Sequence, residues 1–263
     1  SSITITNNTI GSTTLANAIN NATPGPLYGI SLSGRYVNNV TNNTIANLTQ
    51  SGTGTTNNQV IGISASGSPA GPFNMTGNTI YNLTSSSGLT ATGSGSSVIG
   101  MSVTGATAGH LVSGNEIYGL VNTNPTAAAQ VIGLYYAGPA TGTNVVSRNF
   151  IHSLGLSTSA TGAGIHGIFA NGGQTSYENN LIRLGIDTAG ADITTGYQIN
   201  GISDAAGTNN YQYNSVYIGG TSVSGATSST YALNSVVVNN TRFFRDNILM
   251  NARSGGTTGL HYA

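Results

Sequence analysis

The sequence predicts an all-β fold, a right-handed parallel β-helix with about 34 residues per rung and seven to eight rungs. Three observations predict it. A motif recurs at a nearly constant period along the whole chain. Aligned on that motif, the apolar positions fall into chemically uniform columns. The apolar runs are short, β-branched and bounded by Gly, Asn, Ser and Thr, which marks strands rather than helices.

The motif has the form apolar-x-x-Asn-x-Ile-x-x-Leu. It stands as Val40-Thr41-Asn42-Asn43-Thr44-Ile45-Ala46-Asn47-Leu48, and it returns around Asn78, Asn115 and Asn149. Weaker copies centre on Asn8, Asn180, Asn214 and Asn247, and the spacings are 35, 35, 37, 34, 31, 34 and 33 residues. A second motif, Val60-Ile61-Gly62-Ile63 in one copy, carries a glycine 13 to 16 residues before each asparagine. Each rung therefore holds a glycine strand, a turn, a short strand ending at the Asn, a bend, a third strand and a longer loop.

Three columns are expected to face inward. The first is Ile10, Ile45, Ile80, Ile117, Ile151, Ile182, Val216 and Leu249. The second runs from Ile30 and Ile63 through Met101, Leu134, Ile168 and Ile202 to Leu233 and Leu260. The third is Ile5, Val40, Met75, Val112, Val146, Tyr177, Tyr211 and Phe244. One rung cannot bury its apolar face alone, but a stack makes a continuous core. The residues Asn43, Asn78, Asn115, Asn149, Asn180, Asn214 and Asn247 are expected to form a structural ladder. Asn tolerates the left-handed backbone of a sharp bend, and its amide donates and accepts from one rung to the next. The glycine column points to close backbone approach.

Composition narrows the function classes. Only 5% of residues are charged; six Arg balance six acids, and Lys, Trp and Cys are absent. No basic patch exists to attract nucleic acid or an anionic membrane surface. Without Cys there is no disulfide framework or thiolate metal site. No apolar run approaches the roughly 20 residues that span a bilayer. Residues 1–263 read as a single β-helix domain, expected to be a segment of a longer protein or of a fibre. Both ends lack a charged or helical cap, so flanking rungs or a second copy are expected to stack end to end.

The repeated Asn-x-Ile motif with its Gly/Ser/Thr-rich loops resembles the right-handed parallel β-helix proteins of bacterial surfaces, adhesins and passenger regions, whose fold is shared with pectate lyases. The resemblance covers Ile3 to about Leu260. It implies an extracellular or cell-surface location and a structural role as stalk, filament or adhesin segment. Its enzymatic branch implies polysaccharide processing.

The acids do not support that branch. Glycoside hydrolysis needs two carboxylates across the scissile bond. Asp187, Asp192 and Asp204 are the best local group, and they read as solvated loop acids. Glu116, Glu178 and Asp246 are scattered, with surface pairs expected for Glu178 with Arg148 or Arg183 and for Asp246 with Arg242 or Arg245. His110, His152, His166 and His261 show no metal spacing, and neither His152 nor His166 has an acid at the matching position of an adjacent rung. No catalytic residue, metal ligand or cofactor is assigned. One outward column, Ala46, Tyr81, Tyr118, His152, Arg183, Tyr217 and Met250, offers a binding candidate. Tyr81, Tyr118 and Tyr217 form either a platform for the sugar rings of surface glycans or a self-satisfying aromatic ladder, with the ladder preferred. Tyr135, Tyr136 and Phe169 suggest a second outward cluster. Asn-x-Ser/Thr sequons begin at Asn7, Asn21, Asn39, Asn42, Asn47, Asn74, Asn82 and Asn239.

Overall fold

A computed structural model describes residues 2–33, 37–67, 71–158, 160–225 and 228–263. Ser1, where the first strand is expected to begin, lies outside the described residues. Each turn contributes one strand to each of three sheets, and all the strand pairings within those sheets are parallel. The first sheet stacks Ser2–Thr6, Val37–Thr41, Phe73–Thr76, Leu111–Ser113, Asn144–Ser147, Thr175–Glu178, Asn210–Gln212 and Phe244–Arg245. The second runs from Thr9–Gly11 through Thr44–Gln50, Thr79–Ser85, Glu116–Asn122, Phe150–Leu156, Leu181–Leu184 and Ser215–Ile218 to Ile248–Asn251; Ile19–Asn21 adds beside Thr44–Gln50. The third runs from Leu27–Leu32 through Val60–Gly67, Val98–Gly105, Gln130–Ala137, Gly164–Asn171, Gln198–Ala206 and Thr230–Ser235 to His261–Tyr262. The molecule is a parallel β-solenoid of about seven turns. A three-residue 3₁₀ turn at Gly93–Gly95 is the one helical element among the described residues.

The inward columns hold in register. Ile5 pairs with Val40, Val40 with Met75, and the line continues through Val112, Val146, Tyr177 and Tyr211 to Phe244. Ile45, Ile80, Ile117 and Ile151 are fully buried. One member of the second column is misplaced: His261 pairs with Thr230, so Leu260 lies four positions out of line with Leu233 and is 60% exposed.

Two irregularities shape the turn. The left-handed residue at the bend is not the ladder Asn but the residue before it. Asn7, Asn42, Gly77, Gly114, Arg148, Asn179, Tyr213 and Asp246 all have φ between +51° and +66°. A second left-handed position interrupts the second sheet at Asn47, Asn82, Gly119 and Ser153. This bulge resets the strand alternation, so Ile and Leu three residues apart both face the core.

The glycine column is explained by space. A Cβ on Gly133 would sit 2.5 Å from the Ile151 side chain and 2.7 Å from the Gly167 carbonyl oxygen. Gly62 and Gly167 meet the same two obstacles in their own turns.

The asparagine ladder is continuous. Asn43 Oδ1 accepts from the backbone N–H and Nδ2 of Asn8, both at 3.0 Å, while Asn43 Nδ2 donates to Asn78 Oδ1 at 3.0 Å and to the Ile5 carbonyl at 2.9 Å. The same bonds repeat through Asn78, Asn115, Asn149, Asn180 and Asn214 to Asn247. Buried amides are tolerable only when both ends are satisfied, and here both are.

Candidate binding surfaces

The outward column on the second sheet is an aromatic ladder over part of its length. The strand alternation turns Tyr81 and Tyr118 away from Ile80 and Ile117, and parallel register stacks them. Their rings lie 5.0 Å apart with a 3° interplanar angle, and the His152 ring follows at 4.8 Å and 4°. The spacing is that of adjacent parallel strands. Tyr118 has one face covered by Tyr81 and the other by His152, so a sugar ring has no open face to stack on there. Tyr217 does not join them, because His152 and Arg183 intervene in register. Ala46, at the head of the column, is fully buried.

Around this ladder, Glu116 reaches His152 diagonally, with Oε1 3.6 Å from Nε2. An acid two positions from the matching one is enough, which the column alignment missed. Burial is the main cause lowering the His152 pKa, and Glu116 opposes it. Burial, then Tyr81 and Glu116, raise that of Tyr118.

The acids disperse rather than converge. Asp187 Oδ1 accepts from the Ala189 and Ala191 backbone N–H groups at 2.8 Å, closing its own loop. Asp192 Oδ2 accepts from the Thr221 N–H at 2.9 Å and from its hydroxyl at 2.5 Å, and these bonds lower its pKa. Asp204 is not a solvated loop acid. It is wholly buried in the inward column of Ala65, Val103, Tyr136 and Ala170. Arg242 Nη1 lies 2.7 Å from Asp204 Oδ2, and Ser235 Oγ donates to the same oxygen at 2.8 Å. Arg242 is thereby spent on Asp204 rather than on Asp246. Among the described residues the ion pairs are these two, Arg242–Asp204 and His152–Glu116, so neither pair expected for Glu178 forms. No group of three or more potential metal ligands occurs among them either.

Tyr136 also faces inward. It is fully buried, with its hydroxyl 3.2 Å from His110 Nδ1. Tyr135 and Phe169 do lie outside the cylinder, but in a covered apolar cluster with Ile61, Ile99 and Ile132. His166, in that outer column, is buried with Nε2 3.1 Å from Gln130 Oε1 and Nδ1 3.2 Å from Asn200 Nδ2. Desolvation lowers the pKa of both His110 and His166 to about 4. Asn47, one of the sequon residues, is buried and its amide is engaged by Ser12 and Asn82.

A groove of about 210 Å³ opens on the outer face of the first sheet, where Val145, Ser176, Glu178 and Asn210 meet the loops of two successive turns at Gly142 and Gln174. Sequence reasoning did not single it out. Comparison of the chain with protein-family models, curated proteins and solved structures returns no match. What stands is the fold. The solenoid half of the resemblance to bacterial surface proteins is realised, and its biological half has no matching family behind it. No helix among the described residues is long and apolar enough to cross a membrane.

Proposed function

We propose that this chain is a non-catalytic structural segment of an extracellular or cell-surface protein, serving as part of a stalk, filament or adhesin. The observation that carries this reading is the unbroken ladder from Asn8 to Asn247, in which turn after turn devotes its recurring asparagine to holding the next. The ladder also has a direction. Asn8 presents an Oδ1 that takes no donor within the described residues, and Asn247 presents a backbone N–H and an Nδ2 hydrogen of the kind Oδ1 receives elsewhere. Any turn added at either end, from the same chain or another copy, extends the same bonds. End-to-end solenoid turns are thus the proposed partners, with no role for nucleic acid or membrane insertion.

Protease shaving of intact source cells, read with an antibody to this chain, tests the location. Release of the epitope is expected; a signal confined to the lysed cytosol overturns the surface reading. Purified chain incubated with pectin, glucan, mannan and chitin is expected to release no product. The second reading, glycan binding at Tyr81, Tyr118 and Tyr217, rests on the outward edges of these rings, since the faces of Tyr118 are closed by Tyr81 and His152. Loss of glycan-array binding in Tyr81→Ala/Tyr118→Ala would favour it.

A further inference from the structure

We propose that the groove on the outer face of the first sheet is a binding site for a neutral sugar, with the Glu178 carboxylate as its principal hydrogen-bond acceptor. This deepens the glycan-binding reading but places the ligand on a different face from the tyrosine column. The outward column on this sheet is hydroxylic through its first five turns: Thr6, Thr41, Thr76, Ser113 and Ser147. Two pairs of these side chains close on one another, Thr41 Oγ1 donating to Thr6 at 3.0 Å and Ser113 lying 3.0 Å from Ser147. The rule breaks at Glu178, where the next turn supplies Gln212.

Glu178 is held in place rather than neutralised. Its Oε1 accepts from Ser176 Oγ and from Gln212 Nε2, the latter at 3.0 Å, and it forms no ion pair among the described residues. Oε2 is left to accept from a ligand. A carboxylate accepts only, and it matches the O–H donors of a polyol. Asn210 Oδ1 is spent on the Phe243 N–H, at 3.1 Å, which leaves its Nδ2 to donate. Exposed Gln174 adds an amide at the rim, and Val145 with Gly142 supplies an apolar wall. An apolar wall with a few convergent polar groups is the general pattern of small-ligand sites.

Other ligand classes fit worse. A hard divalent cation takes six to eight oxygens, usually several of them carboxylate, and Glu178 is the one acid lining the groove. An anion would meet that carboxylate directly. Hydrolysis needs a second carboxylate, so the site binds a sugar without cleaving it.

The test is a two-dimensional amide NMR titration of the whole chain with glucose, galactose, mannose, N-acetylglucosamine, glucuronate and, separately, calcium chloride. At least one neutral sugar should shift the Val145, Ser176, Glu178 and Asn210 amides in a saturable way. Glucuronate should bind more weakly. Glu178→Gln should weaken the neutral sugar by about tenfold or more, as expected for a lost hydrogen bond to a charged group, with the ladder amides unmoved. Silence with every neutral sugar, equal binding by Glu178→Gln, or the same shifts with calcium alone would overturn the site. Shifts confined to Tyr81 and Tyr118 would overturn it too, while leaving glycan binding in place.

Discussion

Asn115 shows what one residue does in this molecule. Its Oδ1 accepts two hydrogen bonds from Asn78, at 2.9 Å each, and its Nδ2 donates to the Met75 carbonyl and to Asn149 Oδ1, also at 2.9 Å. Removing a buried partner leaves its neighbours unsatisfied, at about 1–3 kcal/mol per group. Asn115→Ala should therefore cost about 3 kcal/mol or more in urea unfolding. Asn8→Ala should cost about 1 kcal/mol or less, because Asn8 is exposed and its Oδ1 accepts nothing among the described residues. Equal midpoint shifts would show that the ladder carries no special share of the stability. Asn was legible here as a ladder residue, but the left-handed bend assigned to it belongs to its neighbour. Asp204 is the instructive miss. Alternation from inward Ile202 already aims it at the core, and attention to its charge obscured that signal.

At the scale of the strand, two glycine positions separate two physical causes. Gly133 has ordinary φ but no room, since an added Cβ meets Ile151 and the Gly167 carbonyl. Gly114 has φ +66° and open space around its missing Cβ. Gly133→Ala should push two columns apart and cost about 1–3 kcal/mol or more. Gly114→Ala should cost about 1 kcal/mol, the backbone strain of one left-handed residue. Thermal unfolding of the two variants decides it, and a larger loss at Gly114 would refute the close-approach account. The bulge at Asn47, Asn82, Gly119 and Ser153 acts at the same scale. It is why Ile-x-x-Leu, a spacing foreign to a simple strand, lies on one face here.

Across the whole molecule, charge is so sparse that two buried histidines dominate the expected acid response. His110 packs on Phe73 and Tyr136, and His166 sits between Gln130 and Asn200. Each has its pKa lowered by burial to about 4, against about 6.5 in the unfolded chain. The unfolded state then binds more protons, so stability rises with pH through this window. The contribution is complete above about pH 6.5 and is lost as pH falls toward 4, on the order of 3 kcal/mol for each histidine. Urea midpoints should drop markedly between pH 7.5 and 4.5, and His166→Ile, which matches Ile132 in the same column, should flatten that drop. An unchanged pH profile in His166→Ile would rule out its share.

The sequence by itself determined the strands, their period, the parallel order and most of the residues that stack, Leu260 and Tyr136 being exceptions. In a parallel solenoid a side chain's nearest neighbours are its own equivalents one turn away, so the packing chemistry is written as repetition along the chain. Tertiary structure alone decided which repeated residue takes the left-handed bend and where a bulge resets the alternation. It also decided that Arg242 returns from a distant loop to meet Asp204, and that Glu178 overlooks a groove. Those outcomes depend on loops and on contacts between unlike residues, which have no period to reveal them.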